Sequence, residues 1–161
     1  MFNSLAGRTA VVTGASKGIG RGIARRLGSV GCSVLVVARS RTESESVARE
    51  ITEAKGKASA FSADVSDEAE TKAMATAAVE RYGSLDILCA NAGIFPAAKL
   101  EVMSGAEFDS VLTTNLRGTF LSVSACLPAL KQAKGRIVVQ ARKCERPGRV
   151  KVAFCKCIHV V

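Results

Sequence analysis

The sequence is poor in aromatic residues and has no long apolar run. It contains no tryptophan and one tyrosine, and aromatic residues make up 4% of its 161 residues. The longest uninterrupted apolar run, Val34 to Ala38, is far too short to cross a bilayer, and the N-terminus lacks the apolar segment of a secretory signal. These absences predict a cytoplasmic protein with no membrane partner.

Acidic residues are also scarce, with 14 against 23 lysines and arginines and a formal net charge of +9. The excess is uneven, because six basic residues and one acidic residue lie beyond Gln140. No aromatic residues interleave with the basic ones to form a stacking platform for bases. The charge therefore predicts no nucleic-acid partner.

The chain does have enough apolar residues for one core, since 48% of its residues are hydrophobic, and a single globular domain is expected. Cys32, Cys89 and Cys126 lie singly in apolar stretches, which predicts buried reduced thiols. The other three cysteines lie near the only histidine in the basic tail, with a spacing that matches zinc sites poorly. We predict no metal site.

Three glycines break an apolar run near the N-terminus. Residues 9–13 predict a strand, and the loop from Gly14 to Gly20 leads into a helical pattern over residues 16–30. Gly14 allows a sharp turn, Gly18 allows the backbone to approach a pyrophosphate, and Gly20 lets the helix lie close to the strand. Free N–H groups at the start of the helix would bind the phosphates.

A second strand, predicted over residues 32–38, completes a βαβ unit. Its near-continuous apolar run indicates a parallel sheet with helices on both faces. Arg39 follows this strand at the place where dinucleotide-binding folds meet the adenosine ribose, and a cation there suits a 2′-phosphate. Alternatively, Lys17 and Arg39 are solvated surface cations.

The same alternation of elements continues along the chain. Helices are predicted behind the capping boxes Thr42-x-x-Glu45 and Ser104-x-x-Glu107, and another starts at Ser66. The helix behind Ser104 is predicted to be long and to kink near Pro128. Further strands are predicted at residues 58–63, 85–90 and 135–139.

Polar residues at two places are candidates for function. Asp64 and Val65 follow the third strand at its carboxyl end, where ligands gather in such sheets, although Asp64 alone could be a turn residue. Asn115 interrupts the apolar stripe of the long helix, so its amide should point inward. A buried polar group costs about 1–3 kcal/mol unless it is bonded. Asn115 therefore has either a functional partner or a structural hydrogen bond to another helix.

Together these motifs resemble the short-chain dehydrogenase/reductase family, and within it most closely the 3-oxoacyl-acyl-carrier-protein reductases. The resemblance covers residues 5–139 and rests on the loop from Thr13 to Gly20, on Asn91-Ala92-Gly93, and on Thr114-Asn115-Leu116. Asn91-Ala92-Gly93 matches part of the family's Asn-Asn-Ala-Gly segment. The resemblance implies a Rossmann-type doubly wound parallel α/β sheet, incomplete at its C-terminal side. It divides the chain into an NAD(P)-binding domain over residues 1–139 and an atypical basic, cysteine-rich tail over residues 140–161.

The family carries out hydride transfer between a nicotinamide cofactor and a small-molecule carbonyl or secondary alcohol. By resemblance, Lys17 and Arg39 imply NADP in preference to NAD, and Asp64 would hold the adenine amino group. Asn115 would order a proton-relay water in a tetrad with Ser, Tyr and Lys, and is the candidate catalytic residue. The candidate cofactor-binding residues are Gly14, Ser16, Lys17, Gly18, Ile19, Gly20, Arg39, Asp64, Val65, Asn91, Ala92 and Gly93.

The family's Ser and Tyr-x-x-x-Lys do not follow Val139. Ser124 is the last serine, and Tyr82, the only tyrosine, has Asp86 four residues later. We therefore expect a C-terminally truncated or frame-shifted chain. Three alternatives stay open for it: an oxidoreductase, an NADP(H)-binding module without turnover, or a fragment without function. Loss of the last strands and helices would uncover the long helix, so we also expect homo-oligomers or aggregation.

Overall fold

The computed structural model describes residues 5–96 and 100–140. Its five strands are β1 Thr9–Thr13, β2 Ser33–Ala38, β3 Lys57–Ser62, β4 Ile87–Ala90 and β5 Arg136–Val139. Its α-helices are α1 Gly18–Ser29, α2 Arg41–Glu53, α3 Glu68–Tyr82, α4 Gly105–Leu112 and α5 Gly118–Ala133. The strands form one parallel sheet in the order β3-β2-β1-β4-β5.

Helices cover both faces of this sheet, and each face has its own core. On one face, Val34 and Val36 lie in a cluster with Val47 and Ile51 of α2. On the other face, alternate residues of the same strands lie in a cluster with side chains of α3 and α5. Burial of β1 and β2 along their whole lengths explains their continuous apolar runs. The predicted Rossmann-type sheet is thereby confirmed.

The position of β1 in the sheet creates the site. β1 pairs with β2 on one side and with β4 on the other, so that Val11 lies opposite both Leu35 and Leu88. The chain thus moves outward in one direction to β3 and in the opposite direction to β5. A crevice opens at the carboxyl ends of the strands where the order reverses, and ligands of such sheets bind there.

Two helix starts differ from the prediction. The cap of α2 is Ser40, whose Oγ accepts from the Glu43 N–H at 3.3 Å, so the predicted Thr42-x-x-Glu45 capping box is wrong. Ser40 to Glu43 fits the same pattern and lies closer to the end of β2, so it caps the helix first. Similarly, Asp67 rather than Ser66 caps α3. The capping box of Ser104 and Glu107 is confirmed.

The single long helix predicted behind Ser104 is also wrong in one respect. A π-helical segment, Thr113–Arg117, separates α4 from α5, and the Gly118 N–H donates to the Thr113 carbonyl five residues earlier. Asn115 lies in this segment and bonds to the backbone of Ile94 outside the helix. The break in the α-helix therefore coincides with a contact made across the fold. The apolar periodicity alone does not reveal this break.

Three further predictions concern groups away from the site. Cys32, Cys89 and Cys126 are buried free thiols, as predicted, and burial raises the pKa of Cys126 to about 12. Within residues 5–96 and 100–140, no His, Cys, Asp and Glu side chains cluster as a metal site would require. The predicted Cys-rich tail lies outside the described residues.

In that same part of the chain, no helix has both the length and the apolar character needed to cross a bilayer. Leu116 and Phe120 are 51% and 61% exposed on the predicted association face. Association of copies through this face stays a prediction, which sedimentation velocity would check.

Candidate functional site

A cleft of about 580 Å³ opens at the carboxyl ends of the strands. This volume lies within the range of small-molecule and cofactor sites. All thirteen residues predicted from the sequence line it: Gly14, Ser16, Lys17, Gly18, Ile19, Gly20, Arg39, Asp64, Val65, Asn91, Ala92, Gly93 and Asn115. The fold therefore brings together residues that are up to a hundred positions apart in the chain.

The three glycines have different surroundings in the loop between β1 and α1. Gly14 and Gly18 have φ angles of +64° and +56°, which side chains rarely allow. A Cβ at position 14 would lie 2.7 Å from the Ala92 Cα, whereas a Cβ at position 18 would meet nothing within 4 Å. Gly14 and Gly20 thus permit close packing, while Gly18 leaves space above the loop.

Thr13 and Asn91 connect this loop to the segment after β4. The Thr13 hydroxyl accepts from the backbone N–H groups of Asn91 and Ala92 at 3.0 and 3.1 Å. In return, the Asn91 amide donates to the carbonyls of Thr13 and Gly14 at 3.0 and 3.2 Å. Asn91 therefore lines the cleft and also fixes the two loops to each other.

This connection predicts a difference between two Thr13 variants. Thr13 is 1% exposed, so Thr13→Val removes the hydroxyl that accepts two N–H groups without emptying the site. We expect the free energy of unfolding to fall by about 2 kcal/mol, measured by urea denaturation. Thr13→Ser keeps the hydroxyl and loses one methyl, which costs about 1 kcal/mol. A Ser variant less stable than the Val variant would show that packing, not the hydrogen bonds, dominates here.

Charged groups gather at the end of the cleft formed by β2 and α2. Arg39 and Lys17 line the cleft together with Ser40. The Arg39 carbonyl accepts from the Ser62 hydroxyl at 2.9 Å, which fixes the chain where it leaves β2. Glu43 of α2 also lines the cleft, so its lining includes one acidic residue of α2 besides the two cations.

Asp64 lies on the third side of this end, directly after β3. Its Oδ1 accepts from both the hydroxyl and the N–H of Ser66, at 2.6 and 2.9 Å. These hydrogen bonds lower the pKa of Asp64, and Arg39 contributes to the same shift. The carboxylate is therefore charged at neutral pH. Because the described bonds use Oδ1, Oδ2 remains the oxygen that could accept a donor from the cleft.

Asn115 defines the opposite end of the cleft. Its Oδ1 accepts from the Ile94 N–H at 2.8 Å, and its Nδ2 donates to the Ile94 carbonyl at 2.9 Å. Its own carbonyl accepts from the Thr119 hydroxyl at 2.7 Å. One alternative was a structural hydrogen bond to another helix. The partner of the Asn115 amide is instead the loop that carries Ile94. The role of Asn115 at a proton-relay water stays a prediction.

Sequence reasoning missed several residues that line the cleft. Most of those near Asn115 are apolar, and they follow β4, precede or lie on α4, or lie in the π-helical segment: Ile94, Phe95, Pro96, Met103, Val111 and Thr114. At the other end they are Ala38, Ser40, Glu43 and Ala63, and Gln140 follows β5. The sequence contains one signal that could have found them, because several of them directly follow a predicted strand or a predicted site residue.

Comparison with known proteins agrees with this geometry. The family model described as short chain dehydrogenase matches residues 8–150. A 3-oxoacyl-acyl-carrier-protein reductase of Staphylococcus aureus is 44% identical over 134 residues, which cover 81% of this chain and 54% of that protein. An uncharacterized oxidoreductase of Methylorubrum extorquens is 39% identical over 125 residues, which cover 77% of this chain and 50% of that protein.

Solved structures give the same result. A 3-ketoacyl-ACP reductase from Sinorhizobium meliloti has a TM-score of 0.77 at 44% identity, over 81% of this chain and 52% of that chain. A short-chain type dehydrogenase/reductase from Mycobacterium marinum has a TM-score of 0.80 at 33% identity, over 84% of this chain and 56% of that one. The chain spans about half the length of these relatives.

The sheet order and the cleft define a Rossmann-type α/β protein. The chain belongs to the short-chain dehydrogenase/reductase family and is most like its 3-oxoacyl-acyl-carrier-protein reductases.

Proposed function

We propose that the chain binds NADP(H) in this cleft and carries the cofactor-binding half of an oxidoreductase that acts on a carbonyl or secondary alcohol. One observation carries the proposal: the glycine loop, two cations and a charged Asp64 all line a single cleft at the switch point of the sheet. Family membership supports the reaction class.

The residues of the cleft fit such a cofactor in three places. The open space over Gly18 at the start of α1 suits a pyrophosphate, because N–H groups at a helix start attract anions. Oδ2 of Asp64 could accept a hydrogen bond from the adenine amino group, since Oδ1 already accepts from Ser66. Lys17 and Arg39 suit a 2′-phosphate, whereas Glu43, which lines the same cleft, suits a ribose hydroxyl. Two cations against one carboxylate favour the phosphate.

When bound, the nicotinamide supplies a hydride. Asn115 fixes the Ile94 backbone and Thr13 fixes the backbone of Asn91 and Ala92 just before it, so these segments would hold and orient the nicotinamide. Apolar side chains, among them Phe95, Met103 and Val111, also line the cleft.

Titration with each cofactor tests the proposal. We expect NADPH to bind the chain at least about tenfold more tightly than NADH, because charge-assisted hydrogen bonds contribute about 1.5–3 kcal/mol each before solvent screening. Isothermal titration calorimetry at fixed salt measures both affinities. Equal affinities would contradict the placement of Lys17 and Arg39, and no binding of either cofactor would contradict the proposed function.

A carbonyl-reduction assay run beside the titration tests the reaction class, since an oxidoreductase consumes NADPH in proportion to substrate.

A further inference from the structure

The π-helical segment Thr113–Arg117 contacts both ends of the cleft. Asn115 bonds to the Ile94 backbone at one end. Two residues later, the Arg117 guanidinium donates through Nη1 to the carbonyl of Ser66 at the other end. Both residues lie within a single turn of chain, so they join loops that follow β4 and β3, respectively. The Asn115 contact belongs to the site described above, but the Arg117 contact does not.

The turn that Arg117 contacts carries Asp64. Within the turn, Asp64 bonds to Ser66, and the Asp67 N–H donates to the Asp64 carbonyl at 3.0 Å. At its start, the Asp64 N–H donates to a Glu70 carboxylate oxygen at 2.6 Å. These bonds lie within the segment from Asp64 to Glu70, so they fix the shape of the turn. They do not fix its position relative to the rest of the cleft.

The Ala63 N–H bond to the Ala38 carbonyl at 3.1 Å holds the start of the turn against β2, and contacts with the start of α5 hold the rest of it. A Cβ at position 118 would lie 2.7 Å from Val65 Cγ2, so Gly118 touches Val65 without space between them. The residue before Gly118, Arg117, donates a hydrogen bond to the Ser66 carbonyl. Its positive charge also helps Lys72 to lower the pKa of Glu68, which places the guanidinium near the first turn of α3. Arg117 itself lies outside the lining of the cleft.

We propose that Arg117 is a positioning residue for the adenosine end of the cleft: it fastens the turn from Asp64 to Asp67 to the π-helical segment and thereby sets where Asp64 meets the ligand. The inference rests on the proposed function. It adds to that function a residue outside the lining of the cleft, since Arg117 acts through the Ser66 backbone and touches no cofactor atom.

Hydrogen exchange without any ligand provides the first test. In Arg117→Met the guanidinium is lost while most of the aliphatic side chain is kept. We expect amide exchange in a peptide spanning residues 62–70 to become several times faster, and exchange in a peptide containing Ile94 to stay as in the wild type. Unchanged exchange in residues 62–70 would overturn the inference whatever the cofactor affinity.

Ligand affinity provides the second test. Adenosine 2′,5′-bisphosphate carries the adenosine end alone, and NADPH carries both ends. We expect Arg117→Met to weaken both ligands by a similar factor of about three to ten, since a displaced turn weakens one hydrogen bond to a charged group. Arg117→Lys, which can still reach the Ser66 carbonyl, should restore both affinities to within about twofold of the wild type. Faster exchange with unchanged affinities would overturn the inference.

Lys72→Met is the matched control, because Lys72 pairs with the same Glu68 at 2.7 Å and its loss changes the net charge equally. We expect wild-type affinities for both ligands in this variant, and a loss equal to that of Arg117→Met would replace the inference with a general charge effect.

Arg117 is exposed, so Arg117→Met should keep the wild-type melting temperature. A wild type that binds neither ligand would contradict the proposed function itself, whereas a wild type that binds and an unaffected Arg117→Met would contradict only the role of Arg117.

Discussion

Replacement of Gly20 by alanine should lower the melting temperature of the chain by about 5–10 °C and weaken cofactor binding. A Cβ at position 20 would lie 2.5 Å from the Asn91 Nδ2 and closer still to the Gly14 carbonyl oxygen. The second neighbour is backbone of the loop between β1 and α1, so it cannot rotate away. Helix α1 must shift outward, and such overpacking costs about 1–3 kcal/mol, which corresponds to roughly 2–4 °C for each kcal/mol at this size.

Gly22→Ala is the control for this prediction. Gly22 lies on the same helix one half-turn later, and a Cβ there would meet nothing within 4 Å. Alanine is favoured over glycine in a helix by about 0.5–1 kcal/mol, so the same chemical change should raise the melting temperature by a few degrees. Differential scanning calorimetry measures both variants. Two variants that melt together would mean that α1 does not lie against the loop as the structure has it.

The contrast between these glycines shows what local sequence can predict. The positions of Gly14, Gly18 and Gly20 were readable because a tight turn, an open backbone and a close helix each require glycine at a fixed offset from a strand. Continuous apolar runs likewise predicted a sheet covered on both faces, since burial on both sides removes alternation. Helical periodicity alone does not distinguish Gly20 from Gly22, but the offset of Gly20 from the strand does, and the contacts across the fold agree with it.

The π-helical segment shows what the sequence could not provide. Asn115 was predicted to point inward, which its place in the apolar stripe justified. Its bond to the Ile94 backbone and the Arg117 bond to Ser66 both depend on how distant loops meet, so neither is encoded within a single helical repeat. The start of α2 makes the same point, because Ser40-x-x-Glu43 and Thr42-x-x-Glu45 both fit the capping motif and the end of β2 decides between them.

Arg39→Asp should reverse the preference between the two cofactors. Arg39 lines the cleft where the ribose 2′ position would lie, and Glu43 lines the same cleft. A second carboxylate would repel a 2′-phosphate and accept a hydrogen bond from a 2′-hydroxyl. Since one charge-assisted bond is lost and repulsion is added, we expect NADPH affinity to fall by about 10- to 100-fold while NADH affinity rises several-fold. Calorimetric titration with each cofactor at constant salt gives the ratio.

Arg41→Asp separates this local effect from the change in overall charge. Arg41 is two residues away at the start of α2, carries the same charge, and pairs with Glu45 on a surface where its side chain is 80% exposed. It does not belong to the lining of the cleft. We expect Arg41→Asp to leave the ratio of NADPH to NADH affinity within about threefold of the wild type, because Arg41 does not line the cleft and water and salt weaken the effect of an exposed charge. If both variants shift the ratio equally, the long-range field of the basic chain selects the cofactor and the contact assigned to Arg39 is wrong.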